Sequence, residues 1–172
     1  MPTPTSTSPL QQVSREVAVT FQVNGQPIRR TVDARMHLAD FLREELGLTG
    51  SHVGCEHGVC GACTVRMDGA IVRGCLVLAV QADGSRVETI EGLTASGEIA
   101  DLQEAFVQHN ALQCGFCTPG MLVCASELLA KNPRAGRDEI RAFISGNYCR
   151  CTGYEAIVDA IAETGAARAA TP

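Results

Sequence analysis

The apolar signals over residues 17–90 are mostly those of strands, and apolar positions then recur at helical spacing through residues 99–161, so the hydrophobic rhythm changes once along the chain. Val17, Val19, Phe21 and Val23 alternate with other residues and predict a strand. Asn24-Gly25, a strong two-residue hairpin turn, follows, and residues 28–32 can return as the partner strand. Leu38, Phe41, Leu42 and Leu46 fall on one face of a short helix that Gly47 is placed to stop. A glycine-dotted loop with three cysteines comes next, then a second hairpin turning at Asp68-Gly69, and a last short strand over residues 87–90. This order predicts a small mixed sheet crossed by one helix.

Beyond residues 91–97 the pattern turns helical. Ile99, Leu102 and Phe106 mark one helix. Met121, Leu122, Ala125, Leu128 and Leu129 mark a second, stopped by Asn132-Pro133. Ile140, Phe143 and Ile144 mark a third, ended by Gly146, and Ile157 with Ile161 a fourth. Four short amphipathic helices suit a bundle. The expected class is α+β, with a sheet domain over residues 16–92 and a helical domain over 93–165. Residues 1–15 and 166–172 lack periodicity and are expected to be flexible tails.

Composition sharpens this picture. The chain has 172 residues, and two domains of that size bury little apolar surface each, so each needs support beyond its core. The net charge is −5 and the 14 Lys and Arg are scattered, which argues against nucleic-acid binding. Residues 1–14 have neither a basic start nor an apolar stretch, so no secretory signal or membrane span is expected there. Arg29-Arg30 lies too far in to act as an export signal. A cytoplasmic, reducing compartment follows. There, nine cysteines point to metal rather than to disulfides, and the odd count agrees.

Cys55-x4-Cys60-x2-Cys63, with Cys75 further on, has the plant-type 2Fe–2S spacing. A cluster ligated from one tight loop needs backbone N–H groups turned toward its sulfurs, and Gly54, Gly58 and Gly61 permit the close curl this requires. Zinc sites more often pair two short hooks, so this set reads as iron–sulfur. No histidine is placed for a Rieske site. His57 reads as a solvent-edge residue, with modulation of the cluster potential as its sharper role.

Cys114-x2-Cys117 and Cys149-x-Cys151 form a second set, separated by 31 residues that hold two predicted helices. Each pair runs into a helix start, Thr118-Pro119 and Thr152-Gly153, where Thr can cap and Pro suits the first turn. Two helix N-termini would then face a cluster carrying roughly −2. Two short hooks also describe zinc, and spacing alone leaves that rival standing here. Cys124 falls on an apolar helix face and reads as a packed thiol. There is no Ser–His pair, no positioned carboxylate pair and no nucleotide-binding glycine motif, so no substrate-transforming site is expected in this chain.

Three longer stretches carry a resemblance: residues 54–63 (GCEHGVCGAC), 113–121 (QCGFCTPGM) and 146–154 (GNYCRCTGY). Together they resemble the iron–sulfur subunit of the xanthine oxidase family of molybdenum hydroxylases, over about residues 17–163. The resemblance implies a β-grasp, plant-type ferredoxin-like domain followed by a four-helix bundle, each holding one 2Fe–2S cluster. It implies a large partner subunit with molybdopterin, in its cytosine dinucleotide form, and a flavin subunit with FAD, assembled as a dimer of heterotrimers. Substrate is then hydroxylated at molybdenum with oxygen from water. Electrons pass to the cluster on Cys114, Cys117, Cys149 and Cys151, then to the one on Cys55, Cys60, Cys63 and Cys75, and out to FAD. Gln113 and Cys151 stand where family members contact the pterin, although Gln113 also suits a bond to backbone. Arg150 fits either charge compensation or a partner interface. A free-standing two-cluster carrier and a zinc-binding interaction module are the alternatives.

Overall fold

The alternation that opens the chain becomes strand β1 (Glu16–Val23), paired antiparallel with β2 (Gln26–Asp33) from Glu16 opposite Asp33 to Val23 opposite Gln26. The computed structural model describes residues 15–170. Val19, Phe21 and Val23 face the core, while Val17, at the strand's start, is exposed. Asn24 and Gly25 both take positive φ, as the two-residue hairpin requires. Asp68 and Gly69 do the same between β3 (Thr64–Met67) and β4 (Ala70–Arg73). β5 (Arg86–Glu88) runs parallel to β1 and antiparallel to β3, which gives a five-stranded mixed sheet in the order β2-β1-β5-β3-β4.

The predicted crossing helix is a single turn, α1 (Leu38–Asp40), that continues as a π-helical turn over Phe41–Glu45 before Gly47 takes positive φ. Leu38, Phe41 and Leu42 are fully buried against Val19, Phe21, Val32, Val65 and Val87. A short 3-10 turn, Ala79–Ala82, closes this core.

Residue 90 does not extend the last strand. It opens a six-residue helix, α2 (Ile90–Ala95), which spans the expected boundary at residue 92, and Ile90 and Leu93 join the second core. The remaining helices are α3 (Ala100–Gln108), α4 (Thr118–Lys131), α5 (Arg137–Ile144) and α6 (Glu155–Ala170). Their apolar faces meet around Leu102, Phe106, Met121, Leu128, Ile140, Ile157 and Ile161. The expectation of a flexible tail from residue 166 is corrected for 166–170: these residues continue α6, and Arg168 forms a bidentate pair with Asp101 at 2.7 Å. The tail expected over residues 1–14, and residues 171–172, lie outside the described residues. No helix among the described residues is long and apolar enough to cross a membrane.

The sheet and the helices meet along α4, which packs on β3 and β4. Gly120 permits this approach: a Cβ there would lie 2.4 Å from the Gly61 carbonyl oxygen. Buried Glu127 of α4 accepts the Ile71 N–H of β4 at 2.6 Å and pairs with Lys131. Both cysteine sets sit near this seam.

Candidate metal centres

The first set is built by the loop between the π turn and β3. Glu56, Gly58 and Gly61 all take positive φ, so the chain curls tightly from Cys55 to Cys63. Gly54 has ordinary φ and serves close approach instead: a Cβ there would lie 3.3 Å from Cys60 Sγ and 3.4 Å from the Phe116 ring. The curl turns the N–H groups of Cys60 and His57 onto Cys55 Sγ, each at 3.4 Å. These donors, Cys60 first, lower the Cys55 thiol to about 6. It is the backbone of His57 that approaches sulfur; its exposed ring Nδ1 bonds the Cys55 carbonyl. Cys63 is buried with Cys75, Ala39 and Val53, and burial pushes its thiol up to about 11. Cys75 arrives from beyond β4, held where the Gly74 N–H donates to the Cys63 carbonyl at 3.0 Å.

In the second set the Sγ atoms of Cys114 and Cys151 lie 3.5 Å apart, and the Cys117 and Cys149 side chains contact each other. Burial raises Cys117 to about 12. Burial also pushes Cys149 upward, but hydrogen bonds from the Thr152 hydroxyl and from backbone outweigh it, and its net direction is down. α4 begins directly after Cys117, as its hook predicted, with Cys117 rather than Thr118 in the capping position. After the other hook the helix is delayed to Glu155. Thr152 therefore does not cap α6; its hydroxyl accepts the Tyr154 N–H at 3.1 Å and lies 3.2 Å from Cys149 Sγ.

Among the described residues no three His, Cys, Asp or Glu side chains converge on one point. The thiols come in pairs: Cys55 with Cys60, Cys63 with Cys75, Cys114 with Cys151, and Cys117 with Cys149. A binuclear cluster takes two thiolates at each iron. The paired donors, the backbone N–H groups on sulfur and the cradle at Gly54 fit such a cluster. The two sets are joined by backbone: the Tyr148 N–H donates to the Cys60 carbonyl at 2.8 Å. Around that link Arg73, Thr64 and Asn147 form a network. Asn147 Nδ2 donates to the Gly61 carbonyl at 3.2 Å, and Arg73 Nη2 to the Gly146 carbonyl at 2.9 Å. His52 stacks on Phe116 with centroids 4.7 Å apart and donates to its carbonyl at 2.8 Å.

Comparison with known proteins decides the family. Residues 21–92 match the 2Fe-2S iron-sulfur cluster binding domain, and residues 89–162 the 2Fe-2S binding domain. The nicotine 6-hydroxylase small subunit of Paenarthrobacter nicotinovorans is 54% identical over 148 residues, 86% of this chain and 89% of that protein. The aldehyde oxidoreductase of Megalodesulfovibrio gigas is 46% identical over 147 residues, 84% of this chain but only 16% of its own length. The crystal structure of quinoline 2-oxidoreductase from Pseudomonas putida 86 superposes with a TM-score of 0.85 at 54% identity, covering 91% of this chain and 96% of that one. The chain belongs to the iron–sulfur subunits of the xanthine oxidase family of molybdenum hydroxylases.

As a member of that family it is an electron-transfer subunit that binds 2Fe–2S clusters. Gln113 is exposed, and its side-chain amide donates to the Cys151 carbonyl at 3.0 Å, so it braces the second hook. Cys124 is buried in α4, 3.8 Å from the Phe143 carbonyl, and burial raises it to about 11; it packs, as expected. Several residues that shape the sites escaped the sequence reading. Asn147 and Tyr154 stand inside the quoted motifs; Asn147 acts on Gly61 and Thr64, which it meets only in the fold, while Tyr154 acts five residues back through a local turn that the residue pattern did not announce. Tyr154 takes φ +70, and its hydroxyl accepts the Cys149 N–H at 2.9 Å.

Proposed function

We infer that this chain relays electrons from molybdopterin in a large partner subunit to FAD in a second one during oxidative hydroxylation of a small molecule. Cys55, Cys60, Cys63 and Cys75 hold one cluster, and Cys114, Cys117, Cys149 and Cys151 the other. Each 2Fe–2S cluster, when bound, takes up and gives up one electron at a time. The observation that carries the reading is the pairing of eight thiols in two sets joined by the Tyr148-to-Cys60 hydrogen bond, the two sites being tied through one buried polar network.

The chain's own residues prepare the sites. Backbone donors hold Cys55 as thiolate, while buried Cys63 and Cys117 keep their protons until metal displaces them, so assembly releases protons and stabilises the fold. Gln113 and Cys151 lie at the edge of the helical set and offer an amide and a sulfur toward the pterin. The sheet half corresponds to a β-grasp ferredoxin-like domain and the helical half to a four-helix bundle, meeting near residue 92. The pterin is assigned its cytosine dinucleotide form, the assembly a dimer of heterotrimers, and the location the cytoplasm.

Assembly with partners is supported by the surface. Val59, Leu76, Leu112, Phe116 and Tyr148 are exposed apolar residues, each within two positions of a cysteine of one set or the other. Apolar side chains exposed beside both sites suit burial against partner subunits. Relatives such as nicotine 6-hydroxylase are named for acting on an N-heteroaromatic compound, which favours that substrate class for the complex.

The test is metal content with EPR. The holo protein is expected to carry about four irons and four sulfides per chain and two distinguishable reduced signals. Cys149→Ser is expected to remove one signal and spare the other. Both signals persisting in that variant would refute the ligand assignment, and a colourless zinc protein would refute the function.

A further inference from the structure

We propose that Thr152 sets the reduction potential of the helical-set cluster, its hydroxyl donating a hydrogen bond to the Cys149 sulfur. This rests on the assignment of Cys149 as a ligand. Thr152 Oγ1 lies 3.2 Å from Cys149 Sγ and at the same time accepts the Tyr154 N–H at 3.1 Å. The oxygen takes that N–H on a lone pair and keeps its single proton for the sulfur, the acceptor it meets at 3.2 Å. The Tyr154 hydroxyl in turn accepts the Cys149 N–H at 2.9 Å, closing a ring of three hydrogen bonds through Cys149, Thr152 and Tyr154.

The backbone holds this ring in place. Gly153 and Tyr154 take φ +68 and +70 in succession, folding the chain back over Cys149. Left-handed φ at a tyrosine is strained and persists only where surrounding contacts over-determine it. Here the Tyr154 side chain is half-buried against the helical core. Thr152 is half-buried too, so water competes poorly for its proton.

Reduction adds one electron, supplied by dithionite in a titration and by the molybdenum subunit in turnover. No protein bond forms or breaks, and the hydroxyl proton stays on Oγ1. On a bound cluster the added charge would spread onto the ligating sulfurs, Cys149 Sγ among them, where the Thr152 hydrogen bond would strengthen as the acceptor became more negative. Thr152 thereby stabilises the reduced state over the oxidised one and raises the potential. It is a positioning residue, acting through Cys149.

The experiment is an EPR-monitored redox titration of the holo protein purified with its partner subunits, as wild type, Thr152→Val and Thr152→Ser. Thr152→Val keeps the shape and removes the donor. Its second-set signal is expected to persist with a reduced-to-oxidised ratio lowered about tenfold at fixed potential, equivalent to about 59 mV for one electron. Thr152→Ser is expected to restore the wild-type value, and the plant-type signal to hold its potential in both. Should Thr152→Val lose the cluster, Thr152→Ala is titrated in its place. An unchanged potential in a loaded variant overturns the proposal, as does loss of the signal from both Val and Ala variants while Ser retains it, which would make the hydroxyl a folding element. The Cys149→Ser control separates failures: if it leaves both signals intact, the ligand assignment has failed rather than the tuning.

Discussion

Gly61 is where the sheet half and the helical half approach backbone to backbone. It takes φ +76, and a Cβ there would meet the Gly146 carbonyl oxygen at 2.5 Å and Asn147 Cγ at 2.7 Å. Neither can move freely, because Asn147 is tied to Gly61 and Thr64, and Gly146 to Arg73. Gly69 also has positive φ, at +83, but opens onto empty space. Alanine at Gly69 therefore meets only left-handed strain, about 1 kcal/mol, whereas alanine at Gly61 adds a backbone collision and is expected to cost about 2–3 kcal/mol. Urea unfolding of the two holo variants should show the larger loss for Gly61→Ala, together with faster bleaching of cluster colour. Equal losses would mean that the seam is compliant. At this scale the cysteines were legible because spacing is local information. Thr64, Arg73 and Asn147 were not, because their network closes only when Asn147 meets Arg73 and Thr64, 74 and 83 positions away.

Among the elements, the hairpins were readable from Asn24-Gly25 and Asp68-Gly69, whose side chains and missing side chains select the turn. The long helices were readable from their apolar spacing. What escaped was α2, too short to show a period, and the last turns of α6, where Ala166, Ala167, Ala169 and Ala170 give no apolar–polar contrast. Alanine nevertheless has the highest helix propensity, so the helix runs on wherever a tertiary contact fixes its end. Arg168 supplies that contact through its bidentate pair with Asp101 on α3, whose carboxyl it holds below the usual range. Arg168 is largely covered while Asp101 is half exposed, so the pair is worth no more than about 1 kcal/mol. Arg168→Ala is expected to lower Tm by about 2–4 °C and to fray the C-terminal turns, read as faster amide exchange over residues 166–170. Unchanged exchange there would show that alanine propensity alone holds the helix.

Across the whole molecule, the two cores are pinned at a second point by Arg66 of β3. Its side chain is nearly buried and donates to Glu98, ahead of α3, at 2.6 and 3.2 Å, to Ser126 of α4 at 3.2 Å, and to Glu88 of β5 at 3.4 Å. The hydrogen bond from Arg66 holds the Glu98 carboxyl below its ordinary value of 4.5. A carboxylate whose folded pKa is depressed binds fewer protons folded than unfolded, so its contribution is complete above the unfolded pKa and is lost as pH falls through the folded one. The seam is therefore expected to hold undiminished from neutral pH to about 5 and to weaken below about 4.5. Acid also attacks iron–sulfur centres, so the informative quantity is a difference between two proteins that share that lability. Glu98→Gln keeps the shape and a hydrogen-bonding oxygen but cannot titrate. Wild type is expected to be the more stable at pH 7, and its urea midpoint to fall further than the variant's between pH 6 and pH 4, so that the two converge in acid. Parallel curves with a constant offset would mean that Arg66 transfers its charge to Glu88 without loss, and that the contact between the two cores does not depend on the titration of Glu98.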